Sequence, residues 1–228
     1  MISRIGYLLV LVIAVGGFFV QSRLQSVFDR YSKETFASGM TGAEVAEKML
    51  RDHGITDVTV THTSGRLTDH FDPTDKTVNL SDAVYGSNSV AAAAVAAHEC
   101  GHAVQHAEGY EPLKMRSALA RLSALSAQFS TWAMLGGLVL SLFVRNSLFL
   151  WIGVGVVAVS ALFSLVTLPV EYNASKRALA WLEGQEMLTP EQHGRAEEAL
   201  TWAARTYVVA ALSSIAVLLY YVGYAQSY

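Results

Sequence analysis

Four stretches of this chain contain no Lys, Arg, Asp, Glu or His: Ile5–Ser22 (18 residues), Leu122–Val144 (23), Asn146–Val170 (25) and Thr206–Tyr228 (23). A helix needs about 20 predominantly apolar residues to cross the hydrocarbon of a bilayer. Inside that hydrocarbon only helices and closed barrels satisfy every backbone polar group. The four blocks therefore predict four transmembrane helices. The composition agrees, since 15% of the 228 residues are charged where a soluble domain has about a quarter. A formal net charge of -3 provides no basic field, so nucleic acid is not an expected partner.

The charge left over lies in two polar segments, which sets the expected domain plan: a first span in 1–22, a polar domain over 23–121, spans at 122–144 and 146–170, a second polar segment over 171–205, and a last span at 206–228. Ten Lys and Arg fall in 23–121 and four in 171–205, leaving Arg4 and Arg145 elsewhere. With four crossings both polar segments share one side, and this asymmetry marks that side as cytoplasmic. The expectation is an integral protein of a bacterial-type inner or plasma membrane, in contact with lipid, with both termini on the opposite side. No small-x-small cleavage pattern follows Val20, and Arg23, Arg30 and Lys33 come just after the run, so the first block reads as a signal anchor rather than a cleaved signal peptide. The apolar spans leave the oligomeric state open.

Within 23–121, Thr41 opens a helical period that runs to Asp52 and stops near Gly54. Val58–Thr61 alternates with β-branched residues and Lys76–Leu80 follows a turn-like Asp72-Pro73-Thr74-Asp75, which reads as a short hairpin or meander. Val90–Ala107 is an Ala-rich helix stopped by Gly109 and Pro112. The fold class expected is a mainly α membrane protein, four transmembrane helices carrying a small α+β domain.

That Ala-rich helix carries His98-Glu99-Cys100-Gly101-His102, an H-E-x-x-H pattern. Positions i and i+4 lie one above the other on a helix, so the two imidazoles can converge on one Zn²⁺ while the intervening carboxylate reaches a water on the metal. Zinc lowers the pKa of that water towards 7, and Glu99 as general base takes its proton. The expected cofactor is one Zn²⁺ per chain, and the expected partner is a protein or peptide substrate. Cys100, two residues from His98, points away from the metal and reads as packing. His106 is about 12 Å along the axis from His98 at 1.5 Å per residue, too far to share the ion, and reads as exposed or as a support behind a ligand.

A catalytic zinc needs a third protein ligand. Glu171, the first charge after the third block, sits in the segment that the crossing count puts on the same side as the zinc helix. Its alternative is a carboxylate favouring a helix N-terminus. Glu183, Glu186, Glu191, Glu197 and Glu198 read instead as a solvated face.

Four segments resemble the YugP-type membrane zinc metallopeptidases, and more distantly the HtpX and CAAX prenyl-protease group: Thr41–Ala46, Leu67–Pro73, Ala97–His106 and Leu168–Ser175. The resemblance implies a zincin-like metallopeptidase domain with a gluzincin-like site, His98, His102 and Glu171 as zinc ligands, Glu99 as general base, and proteolysis beside the membrane. HtpX-like proteins usually place an acid four residues after the ligand Glu to orient a ligand His; here that position is Ser175, a weaker partner. Candidate donors to the oxyanion of the transition state are Arg177, His193, Arg205 and Tyr207, the last of which also reads as an interfacial aromatic anchor. Thr77–Leu80 reads as a free strand edge for an extended substrate, marked by Asn79. His70 reads as an exposed turn residue or part of a second metal site. The competing function is a membrane assembly or scaffold protein with a non-catalytic zinc site, which would have no use for Glu99.

Overall fold

A computed structural model of the chain describes residues 2–144 and 148–226. Arg145, at the expected junction of the second and third spans, and the last residues of the fourth block, Ser227 and Tyr228, lie outside the described residues. The elements in order are α1 (Ile2–Tyr31), α2 (Gly42–Asp52), β1 (Thr59–Thr63), β2 (His70–Asp72), β3 (Thr77–Ser81), α3 (Val90–Ala107), α4 (Glu111–Val144), α5 (Leu148–Gly184) and α6 (Pro190–Ala225). They divide into two compact units. One comprises residues 1–20, 114–169 and 206–228, the other residues 21–113 and 170–205.

Among the described residues three helices, not four, are long and apolar enough to cross a membrane: Leu11–Tyr31, Leu150–Gly184 and Pro190–Ala225. The expected second span, Leu122–Val144, is helical as the distal part of α4 but is not among them. Among the described residues the protein is mainly helical with one small sheet, and three of its helices could cross a membrane by length and composition.

In the unit of 21–113 and 170–205, local chemistry sets the element ends. Thr41 caps α2 reciprocally with Glu44: the Thr41 hydroxyl accepts from the Glu44 N–H, and the Glu44 carboxylate accepts from the Thr41 N–H at 2.8 Å. Gly54, at φ +67°, closes the helix. Ser89 caps α3, and Gly109, also at φ +67°, ends it. Pro112 does not stop α3 as expected; it sits in the first turn of α4, where its missing N–H costs nothing.

β2 and β3 form a hairpin, Asp72 facing Thr77 across the expected turn, but the three strands together do not form a meander. β1 runs parallel to β3, β2 runs antiparallel to it, and the order across the sheet is β1-β3-β2. The three-residue β2 escapes sequence reading because it is too short to show an alternation. β3 is the middle strand, so the free edge expected at Thr77–Leu80 does not exist. Asn79 is spent inside the sheet, accepting from the Thr61 hydroxyl at 2.7 Å and donating to the Thr77 hydroxyl at 2.8 Å.

The core of this unit is α3. Ala91, Ala92, Ala93, Ala94, Ala96 and Ala97 are all buried, and they pack with Val45, Ala46, Met49, Leu80, Ala178 and Leu182. Small side chains all round the helix let its neighbours approach closely, as the site requires. Polar ties support the same packing: Trp181 donates its indole N–H to Asp52 at 3.1 Å, Lys48 donates to Gln185 at 2.9 Å, and Gln192 joins the backbone of Thr35 and Ala37.

Candidate metal centre

His98 and His102 stand one turn apart on α3, and Glu171 reaches them from α5. What allows the two helices to meet is Gly101. A Cβ there would lie 2.7 Å from the Ala174 carbonyl oxygen, a distance at which backbone must move. With only hydrogen at that position, α5 passes against α3 and brings Glu171 within reach.

The Glu171 Oε2 atom is 3.3 Å from His98 Nε2 and 3.6 Å from His102 Nε2. The three side chains form a group whose candidate ligand atoms all lie within 4.8 Å of one another. Ligands about 2.0–2.1 Å from a tetrahedral zinc are about 3.3–3.4 Å apart; the His98 spacing of 3.3 Å matches that ion and the His102 spacing of 3.6 Å is a little longer. The imidazoles are nearly perpendicular, at 84°, with centroids 4.8 Å apart. Glu171 is 2% exposed and His102 7%, so solvent competes little for their donor atoms. Two neutral imidazoles and one carboxylate suit a borderline cation such as zinc.

Each imidazole also has a partner on its far nitrogen. Ser175 Oγ lies 3.1 Å from His98 Nδ1, and Gln105 Oε1 lies 3.0 Å from His102 Nδ1. Both Nε2 atoms therefore point at Glu171.

Glu99 is buried beside the group, and its Oε2 accepts the backbone N–H of Phe71 at 3.1 Å. Burial pushes its carboxyl up to about 7; the neighbouring His98 and the Phe71 N–H oppose the rise, while the carboxylates of Glu171 and Asp69 add to it. That is the range in which a carboxylate can exchange a proton near neutrality. Asp69 is itself held by Ser81, through the backbone N–H at 2.7 Å and the hydroxyl at 2.9 Å.

The remaining expected residues are placed as follows. Ser175 is at His98. Arg177 is engaged in support, its Nε on Asn173 Oδ1 at 2.7 Å and its Nη2 on Glu108 at 2.7 Å. Tyr207 belongs to the other unit, residues 1–20, 114–169 and 206–228, and Arg205 lies over the Trp202 ring at 4.2 Å. His193 pairs with Glu183 at 3.7 Å. Glu198 does not sit on a purely solvated face, since it accepts from Tyr31 and pairs with Arg23. Cys100 is buried with Sγ towards the Ala46 carbonyl, and His106 is exposed with its ring 5.8 Å from Phe71. His70 is exposed in β2 rather than in a turn, its Nδ1 2.8 Å from the Thr68 carbonyl, and it joins no metal-binding group among the described residues.

Two contacts were invisible to sequence reading. The Phe71 contact is made by backbone, which any residue supplies. Gln105 left a fainter trace: it is seven residues after His98 and three after His102, so an amide stands on the ligand face of an otherwise Ala-rich helix.

A group of two imidazoles and a carboxylate beside a buried acid, on a helical protein with apolar spans, defines a class, and comparison with known proteins agrees. The chain belongs to the family described as "Putative neutral zinc metallopeptidase", whose model matches residues 6–226. Among characterised sequences it is 41% identical over 207 residues to "Putative membrane protease YugP" of Bacillus subtilis (strain 168), covering 90% of this chain and 89% of that protein. No solved structure matches it.

Proposed function

We propose that this protein is an integral-membrane zinc endopeptidase of the H-E-x-x-H, gluzincin-like type, holding one Zn²⁺ per chain on His98, His102 and Glu171 and using Glu99 as general base. The observation that carries the reading is the meeting of Glu171 with the two imidazoles, beside a buried carboxyl poised near neutrality. A zinc ion held there would supply Lewis acidity and lower the pKa of a water towards 7.

The chain's own residues then have separable tasks. His98 and His102 present Nε2, with Ser175 and Gln105 orienting the rings from behind. Glu99 takes a proton from water and returns it to the leaving amine, a task suited to a carboxyl near 7. The Phe71 N–H holds that carboxylate in place. With β3 paired on both sides, β2 is the edge next to Glu99 and the better candidate to align an extended peptide. Arg177 supports Asn173.

That one unit holds both His98 and Glu171 supports a path in which the chain between residues 113 and 170 returns to the side it left. Both polar segments thus share a side, and their Lys and Arg favour the cytoplasm. Substrates on that side would be membrane or membrane-adjacent proteins. A reporter inserted near Gly65 should behave as cytoplasmic; the opposite behaviour reverses the orientation and leaves the chemistry intact.

The decisive experiment compares wild type with Glu99→Gln for zinc content and for cleavage of a generic unfolded protein. The expected result is zinc retained and cleavage lost. Equal cleavage by both eliminates Glu99 as the base, and no cleavage by wild type favours a scaffold with a structural zinc.

A further inference from the structure

Gln105 is an amide with no exposed surface, in a helix otherwise lined with alanine. Burying a primary amide is unfavourable unless its hydrogen bonds are made, so its partners explain its presence. It has three: Oε1 lies 3.0 Å from His102 Nδ1, while Nε2 donates to the Val170 carbonyl at 2.8 Å and to Asn173 Oδ1 at 2.9 Å.

These partners fix which way the amide faces. A backbone carbonyl only accepts, so the atom against Val170 must be the nitrogen. The oxygen then faces His102, and His102 must carry its proton on Nδ1 to donate to it. That tautomer leaves the Nε2 lone pair directed at Glu171. The other half of the amide holds the backbone immediately before Glu171. One side chain therefore touches a ligand on α3 and the turn of α5 that presents another. Beyond it, Asn173 Oδ1 also accepts from Arg177 Nε at 2.7 Å, and Arg177 pairs with Glu108 at the end of α3. The chain of contacts leaves α3 at Gln105 and comes back to it at Glu108.

We propose that Gln105 is the positioning residue of the metal centre, setting the tautomer of His102 and tying the helix that carries His98 and His102 to the turn that carries Glu171. Its role rests on the reading of those three residues as metal ligands. Gly101 permits the helices to approach, and Gln105 fixes their register once they have done so.

The test uses the full chain in detergent, stripped of metal and titrated with Co²⁺ alone, following the visible d–d bands. Wild type should take up one Co²⁺ per chain, and Glu171→Ala should lose it. Gln105→Leu should bind about 10- to 100-fold more weakly, the usual cost of removing a ligand's hydrogen-bonding partner, with an altered d–d envelope. Met49→Ala, a core substitution outside the network, should lower the melting temperature and leave the Co²⁺ affinity and spectrum unchanged. Wild-type affinity and spectrum in Gln105→Leu would overturn the proposal, as would an equal affinity loss in Met49→Ala. Failure of wild type to bind Co²⁺, or binding that survives Glu171→Ala, would instead overturn the ligand assignment beneath it. A measurement without any Gln105 variant covers the case in which Gln105→Leu does not fold. ¹⁵N-histidine spectra of the metal-free wild type, assigned through His102→Asn, should show neutral His102 protonated at Nδ1; protonation at Nε2 overturns the proposal.

Discussion

The unit of residues 21–113 and 170–205 and the unit of residues 1–20, 114–169 and 206–228 bury their side chains by opposite rules. In the first, Phe36, Met49, Leu80 and Leu182 are at most 1% exposed, and polar side chains such as Gln105 and Trp181 meet specific partners. In the second, the large apolar side chains turn outward: Phe18 is 78% exposed, Trp132 74%, Val12 66% and Leu219 59%. Where its own helices meet, small residues accompany a cluster around Leu150 and Val154. A Cβ at Gly17 would lie 3.1 Å from the Val209 side chain, the Ser164 and Ser214 hydroxyls are 3.2 Å apart, and Ala161, Ala211 and Ala216 are buried. One unit is built against water. The other is built against hydrocarbon, where apolar surface costs nothing outside and close packing of small residues supplies the adhesion.

The largest contrast is at the metal. Glu171→Gln should abolish stoichiometric zinc, measured by metal analysis of the purified chain, because a neutral amide is a poor replacement for a carboxylate ligand. Removing the Ser164 hydroxyl in the other unit, by Ser164→Ala, should leave zinc content unchanged. If both variants kept zinc, the first unit would lose its claim to be the chemical one.

Hydrophobic truncation comes next. Leu80→Ala, at a fully buried position in β3, should cost about 2–5 kcal/mol. Leu219→Ala, exposed in α6, should change stability by no more than about 0.5 kcal/mol. Chemical denaturation of the detergent-solubilised chain measures both. Comparable losses would mean that Leu219 is covered in the native protein.

How much of this contrast was legible beforehand follows from which signals are local. The ends of α2 and α3, the pairing of His98 with His102, and the packing role of Cys100 depend on spacing along one helix. Glu171 was reached through the distribution of charge, and Ser175 through family resemblance. Strand order was not readable, since the parallel pairing of β1 with β3 is decided by contacts that periodicity does not encode. Asn79 was misplaced for the same reason: a strand's position in its sheet decides whether it has an edge. The charge-free blocks were legible as helices, and three helices among the described residues are long and apolar enough to cross a membrane. Gln105 was legible in principle, as a lone amide on the ligand face, but its partners on α5 were not.

Glycine gives a contrast in sign rather than size. In an open helical position Gly→Ala gains up to about 1 kcal/mol in propensity, and Gly155 in α5 has no atom within 4 Å of an added Cβ. Gly155→Ala should therefore be neutral or stabilising. At Gly101 the added carbon meets the Ala174 backbone at 2.7 Å, and relief requires the helices to part, at a cost of about 1–3 kcal/mol. Thermal melts read the stability, and metal analysis reads whether Glu171 still reaches the imidazoles. Stabilisation at both sites would show that α3 and α5 can separate without penalty, and the close-approach account of the metal centre would fall.

The smallest effect lies at the start of α2, where water rather than lipid or metal is the surrounding. Thr41→Ala should cost about 1 kcal/mol, the usual value of an N-cap. Its partner carries a pH signature. The Thr41 backbone and hydroxyl groups that bond to the Glu44 carboxylate hold its pKa below the ordinary value. A depressed folded-state pKa means stability that is fully present above the unfolded value of about 4.3 and is lost as pH falls through the folded one. The stability difference between wild type and Glu44→Gln should thus be constant from neutrality down to about pH 5 and shrink in more acid solution. A difference that grew on acidification would mean that the carboxylate is not the acceptor, and that the end of α2 is held by Thr41 alone.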